Sequence, residues 1–155
     1  MYPTIYIGTD HGGFAKKEVI KQQLMNSGYQ VIDCGAATYI ADDDYPPFAI
    51  AVAKNVAADI AAGNNSFGIL LCRSGIGMAV VANKIPGIRA ATLRSVEEAQ
   101  LGRMHNDINV ISLPADVLSD EEIWVILKSF LNTQFLQEER HVRRVKQIKD
   151  FEQGS

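Results

Sequence analysis

Three stretches of this 155-residue chain, each following an expected strand, set reactive side chains in spacings that can do chemistry. The most informative is Cys72-Arg73-Ser74-Gly75-Ile76-Gly77-Met78, a thiol at the end of an apolar run followed by a loop and a short periodic stretch. Glycines at a helix start let backbone N–H groups turn inward and face an anion. A thiol held among such groups is favoured as thiolate and can serve as a base or a nucleophile, whereas most free cysteines are only small buried hydrophobes. Known phosphate motifs fail on this loop. It has no Gly-Lys-Ser/Thr, Val80 stands where the dinucleotide fingerprint needs glycine or alanine, and Met78 stands where a Cys-x5-Arg phosphatase loop needs arginine.

The second stretch, Thr9-Asp10-His11-Gly12-Gly13, offers a carboxylate and an imidazole able to hold a hydroxyl and an anionic group, and glycines that let a ligand approach the backbone. An Asp beside a His can equally be a capping pair. In the third, Asp42-Asp43-Asp44-Tyr45-Pro46, Tyr45 either lines a ligand or simply precedes a helix. A fourth group, His105-Asn106-Asp107, follows a periodic stretch and precedes a strand. His11, His105 and His141 lack metal-ligand spacing, so neither metal nor cofactor is expected.

The elements that must position these groups alternate regularly. Thr4 to Gly8, Gln30 to Asp33, Phe67 to Cys72, Ile88 to Leu93 and Asn109 to Leu113 read as strands, apolar at consecutive positions and so expected to be buried on both faces. Helices are expected at Phe14–Ser27, Phe48–Ala62 and Ile76–Asn83. Two more open with capping boxes, Ser95 with Glu98 and Ser119 with Glu122. A last helix over about 137–151 carries Arg140, His141, Arg143, Arg144, Lys146 and Lys149, which reads locally as a solvated face. Strand–helix alternation demands right-handed crossovers, hence an α/β three-layer α/β/α sandwich with a five-stranded, mostly parallel sheet in a single domain over 1–155.

In such a sheet ligands bind beyond the carboxyl ends of the strands, where Asp10, Tyr45 and Cys72 fall. His105 falls at the opposite end, about 17 Å away along a five-residue strand. Either it is a structural polar residue, or a second copy of the chain delivers it across a symmetric interface.

Composition excludes other classes. A hydrophobic content of 47% against 21% charge is that of a packed globular chain, and a net charge of −3 gives no general attraction to polyphosphate, so neither nucleic acid nor a membrane surface is an expected partner. No apolar run reaches the roughly 18 residues of a membrane span, and the first residues lack the pattern of an export signal. A cytoplasmic protein with two free thiols is expected, and Cys34, which has no glycine loop, reads as structural.

Several separated motifs, in order, carry a resemblance: GTDHGG from Gly8, DYP from Asp44, GILLCRSGIGMAVVANKIPGIRAA from Gly68, RMHNDINV from Arg103 and ERHVRRV from Glu139. Over about Ile5 to Ile148 the chain resembles ribose-5-phosphate isomerase B and its relatives, the galactose- and allose-phosphate isomerases. The resemblance implies a Rossmann-like homodimer that interconverts an aldose phosphate and a ketose phosphate without metal, each site being built from both subunits. It implies that Cys72 is the base moving a proton between C1 and C2, that Ser74 assists at the hydroxyls, and that the amides of Gly75, Ile76 and Gly77 steady the enediolate. It further implies ring opening by His105 with Asp10, a sugar lined by Tyr45 and Asn106, and a phosphate clamp of His11, Arg140 and Arg144.

Two departures from the family pattern stand out. Arg73 replaces a glycine beside the thiol, where it could favour the thiolate, touch a partner subunit or narrow the pocket. Leu113-Pro114-Ala115-Asp116 replaces a glycine and a phosphate-holding arginine. The expected reaction is therefore ribose 5-phosphate to ribulose 5-phosphate, with a six-carbon sugar phosphate as the close alternative. A sugar-phosphate binding module without catalysis is the alternative from another class, and binding alone would not need a thiol. Whether dimers pair into tetramers is left open by the sequence.

Overall fold

The computed structural model describes residues 2–154. In chain order they form β1 (Thr4–Thr9), α1 (Phe14–Asn26), β2 (Gln30–Asp33), α2 (Pro46–Ala61), β3 (Ser66–Cys72), α3 (Ile76–Ala82), β4 (Ala90–Thr92), α4 (Val96–Asn106), β5 (Val110–Pro114), α5 (Asp120–Asn132) and α6 (Glu139–Glu152). The five strands pair in parallel in the order β2-β1-β3-β5-β4, as the alternation requires.

Side chains alternate across the central strands and feed two cores. Ile5, Ile7, Phe67, Ile69, Leu71, Ile111 and Leu113 pack with Ile20, Leu24, Ala99, Ile123, Leu127 and Phe130, which places α1, α4 and α5 on one face. Tyr6, Leu70, Cys72 and Val110 pack with Ala49, Val52, Ala53, Val56, Met78 and Ala82, which places α2 and α3 on the other. The third strand is buried along its whole length. Burying so many aliphatic side chains, each worth about 1.5–3 kcal/mol, is what holds the layers together.

Three expectations need correction. The second strand is the sheet edge and is largely exposed, not covered on both faces: α1 packs on one face, where Lys17 and Lys21 bond Asp33, while Ile32 on the other is exposed. The fourth strand is the other edge and keeps only three paired residues of the six expected. At α4 the capping box is half formed: Ser95 accepts from the Glu98 amide, but the Glu98 carboxylate reaches past Ser95 to the Arg94 amide at 2.6 Å. At α5 the Ser119–Glu122 box is complete. No helix among the described residues is long and apolar enough to cross a membrane.

Because β2 lies beside one edge of β1 and β3 beside the other, the crossover direction reverses between β1 and β3. The carboxyl ends of two adjacent strands at such a reversal frame a crevice, the usual ligand position in open parallel sheets. Asp10 follows the first of these strands and Cys72 ends the other.

Candidate active site

The crevice is an open cleft of about 410 Å³ lined by Asp10, His11, Tyr45, Cys72, Arg73, Ser74, Ile76 and Gly77. Apart from Gly75, the candidates drawn from the three strand-end loops therefore meet in one place. The thiol of Cys72 forms part of its floor and is only 6% exposed, and its Sγ accepts the Gly75 N–H at 3.1 Å. The loop can close back on the sulfur because Gly75 adopts a left-handed backbone (φ 73°), a conformation costly to residues with a Cβ. Two buried or half-buried hydroxyls then pin the loop, Ser112 Oγ donating to the Gly75 carbonyl at 2.5 Å and Thr92 Oγ1 to the same oxygen at 2.8 Å. Strands β4 and β5 thus hold the thiol's donor in position.

The nest differs in detail from an open ring of amides. The Gly75 N–H is occupied by the thiol, and the Ile76 N–H donates to Ser74 Oγ at 3.2 Å. Tyr45 covers Gly77 so closely that a Cβ there would lie 2.8 Å from the phenol ring, which is why this turn needs glycine. Tyr45 directly precedes α2 as well as lining the cleft, so both readings of it hold.

Asp10 is 7% exposed and caps a short 3₁₀ turn, its Oδ1 accepting the Gly12 N–H at 3.0 Å. Burial pushes its carboxyl above the usual range, against the pull of that amide and of His11. His11 has a partner that its sequence neighbours do not reveal. Asp43 Oδ1 accepts the His11 main-chain N–H at 2.8 Å and lies 2.9 Å from ring Nδ1. That hydrogen bond raises the His11 pKa, with Asp10 adding to the effect. Asp10, His11 and Asp43 present atoms within 4.8 Å of one another, an arrangement able to hold a cation. Arg73 reaches Asp116 only loosely, Nε to Oδ2 at 3.8 Å, and both side chains are largely exposed.

His105, Asn106, Arg140 and Arg144 are not brought to this cleft. His105 and Asn106 form the last turn of α4, which ends at the left-handed Asp107 (φ 48°) just before β5 begins. They therefore lie at the amino end of the sheet, with the length of β5 between them and the thiol. Arg140 and Arg144 belong to α6, whose His141 stacks flat on His105 with ring centroids 4.4 Å apart and 7° between planes. His141 is 3% exposed, and neither ring nitrogen has a hydrogen-bond partner. The basic helix is therefore not a purely solvated face.

The Ribose/Galactose Isomerase family matches residues 5–148. The chain belongs to this family. Ribose-5-phosphate isomerase B of Mycolicibacterium paratuberculosis is 43% identical over 148 residues, covering 96% of this chain and 91% of that protein. The Escherichia coli protein of the same name is 38% identical over 150 residues, covering 96% of each. Among solved structures, ribose-5-phosphate isomerase B from Mycoplasma genitalium with bound ribulose-5-phosphate superposes with a TM-score of 0.93 at 35% identity, over 100% of this chain and 99% of that one. The type B enzyme of Trypanosoma cruzi gives 0.91 at 38%, over 99% of both. Family membership thus covers both clusters, the cleft at one end of the sheet and the stacked histidines at the other.

Proposed function

We propose that this member of the ribose/galactose isomerase family interconverts ribose 5-phosphate and ribulose 5-phosphate in a homodimer, each site combining the cleft of one subunit with the His105 end of its partner. The observation that carries the proposal is the Cys72 thiol held on the Gly75 amide at the floor of the cleft. Two further facts support it: the likeness to a ribose-5-phosphate isomerase B structure with bound ribulose-5-phosphate, and the placement of the remaining candidates at the far end of the sheet. Ile76 and Val80 beside the cleft, and Val142, Ile148 and Phe151 on α6, leave apolar side chains exposed for a second copy to cover.

A C–H beside a carbonyl is weakly acidic, so its removal needs a positioned base and dipoles aimed at the oxygen where charge develops. The Cys72 thiolate takes the proton from C2 of the open-chain aldose, and the electron pair moves into a C1–C2 double bond to give an enediolate. Returning the proton to C1 yields the ketose and restores the thiolate, with one hydroxyl proton moving from O2 to O1. Ser74 serves those hydroxyls, and the loop of Gly75, Ile76 and Gly77 faces the developing charge. The partner's imidazole at position 105 suits the preceding ring opening because its two nitrogens can take a proton and give one. Asp10 joins it from the cleft, while Tyr45 and Asn106 line the sugar. Arg140 and Arg144 suit the phosphate because a guanidinium makes paired, charge-assisted hydrogen bonds.

The test is isomerisation of ribose 5-phosphate followed by NMR in heavy water. Deuterium should enter at the carbon that receives the proton, and Cys72→Ala should lose at least about a thousandfold in kcat while still binding substrate. Turnover by Cys72→Ala at the parent rate would remove the base from the proposal. Rates on ribose, allose and galactose phosphates compared side by side decide the sugar.

A further inference from the structure

The loop between β2 and α2 carries three consecutive acids, and one of them, Asp43, bonds His11 of the cleft. Asp42 takes a left-handed backbone (φ 60°), uncommon for a residue with a Cβ, and the chain reverses there so that Asp43 is partly buried while Asp42 and Asp44 stay exposed. One oxygen of Asp43 then holds His11 at two points, its main-chain N–H at 2.8 Å and its ring Nδ1 at 2.9 Å. The other oxygen, Oδ2, is buried and has no hydrogen-bond partner. A carboxylate kept only for stability would satisfy both oxygens, since an unmet buried acceptor is costly.

We infer that Asp43 is the positioning residue that turns His11 into a ligand for the anionic end of the substrate. With Nδ1 donating to Asp43, the tautomer and ring orientation are set, and Nε2–H is the donor left for the cleft that His11 lines. The negative charge of Asp43 also keeps the ring in its cationic form to higher pH, which suits a phosphate dianion. The groups facing His11 are Asp10 at the end of β1, Asp43 on its loop, Tyr45 before α2, and Cys72 and Arg73 at the end of β3. Among these residues Arg73 is the one fixed cation, so an oriented imidazolium doubles the positive charge available to an anion there. Asp43 touches no substrate itself and acts only through His11.

This inference rests on the proposed isomerase reading, and one experiment separates the two. Ribose 5-phosphate kinetics from pH 6 to 9 are measured for the parent, Asp43→Asn, Asp43→Glu, His11→Asn and the double variant Asp43→Asn/His11→Asn. Melting curves and proton NMR titration of the His11 ring are recorded alongside. Asp43→Asn should raise KM about fivefold or more with kcat within about twofold. The pH at which KM begins to climb should move down, the His11 titration should move with it, and the melting temperature should hold at the alkaline end of the range, above the raised His11 value. Asp43→Glu should recover part of the KM. In the His11→Asn background, Asp43→Asn should add no further loss. Parent-like KM and His11 titration in Asp43→Asn, or an equal loss with and without His11, overturns the inference while the isomerase reading stands. A parent enzyme without turnover overturns both.

Discussion

His105 and His141 lie face to face, 4.4 Å between ring centroids, and this stack joins the terminal helix α6 to the last turn of α4. The more buried ring, His141, has no hydrogen bond to either nitrogen. Burial lowers its pKa, and the neighbouring His105, Arg140 and Arg144 push the same way against Glu138. A ring packed flat on His105 holds it at the end of α4.

Stability should therefore depend on pH in two opposite limbs. Unfolded imidazoles take up protons near pH 6.5. His141 binds its proton less readily when folded, so stability falls as pH drops from about 6.5 through its lowered folded value. His11 binds more readily when folded, so the stability it contributes is fully present below about 6.5 and is lost as pH rises through its raised folded value. Melting temperatures across pH 5 to 9 should show His141→Phe, which keeps a flat ring on His105, flattening the acid limb alone. Asp43→Asn should flatten the limb above 6.5. An unchanged acid limb in His141→Phe would contradict the assignment.

The Arg73–Asp116 pair is loose and exposed, and surface pairs of this kind contribute about 0–1 kcal/mol. Arg73 nonetheless lines the cleft beside His11, where it can meet an anionic substrate. Arg73→Ala should leave the melting temperature nearly unchanged and raise KM for ribose 5-phosphate about tenfold, roughly the loss of one charge-assisted contact. A KM equal to the parent's would mean that Arg73 faces solvent or the partner rather than substrate.

The cluster of Asp10, His11 and Asp43 is able to hold a divalent cation, whereas the proposed chemistry needs only the thiolate and the loop amides. Exhaustive treatment with a chelator should leave kcat and KM unaltered, and added magnesium or zinc should not raise the rate. Zinc should inhibit if it occupies the cluster, because it would displace Asp43 from His11. Loss of activity on chelation, restored by metal, would require a different mechanism.

The central fold was legible because its strands are continuous apolar runs punctuated by glycine, proline and capping serines, signals set by burial and backbone geometry. The thiol site was legible for the same reason: a cysteine ending a buried strand ahead of Gly75 has few places to point. The exposure of β2 was not legible, since QVID reads like any short strand until its position at the sheet edge is known. Asp43 was missed because three adjacent acids are equivalent on paper. Only the left-handed turn at Asp42 decides which of them faces His11. His141 was missed for a related reason, since a histidine among arginines and lysines looks solvated until α6 docks on α4. The Glu98 carboxylate likewise had two amides one residue apart to choose from, and it took Arg94.

The most direct test of a site shared between two copies is subunit mixing. Cys72→Ala and His105→Ala homodimers, each inactive alone, are mixed, dissociated and reassociated, and ribose 5-phosphate turnover is then measured. Heterodimers carry one site with both residues intact, so half of the dimers formed at equal mixing should each regain one working site, and activity should approach about a quarter of the parent's. Mixtures that stay as inactive as their components would show that Cys72 and His105 do not serve one substrate from two subunits.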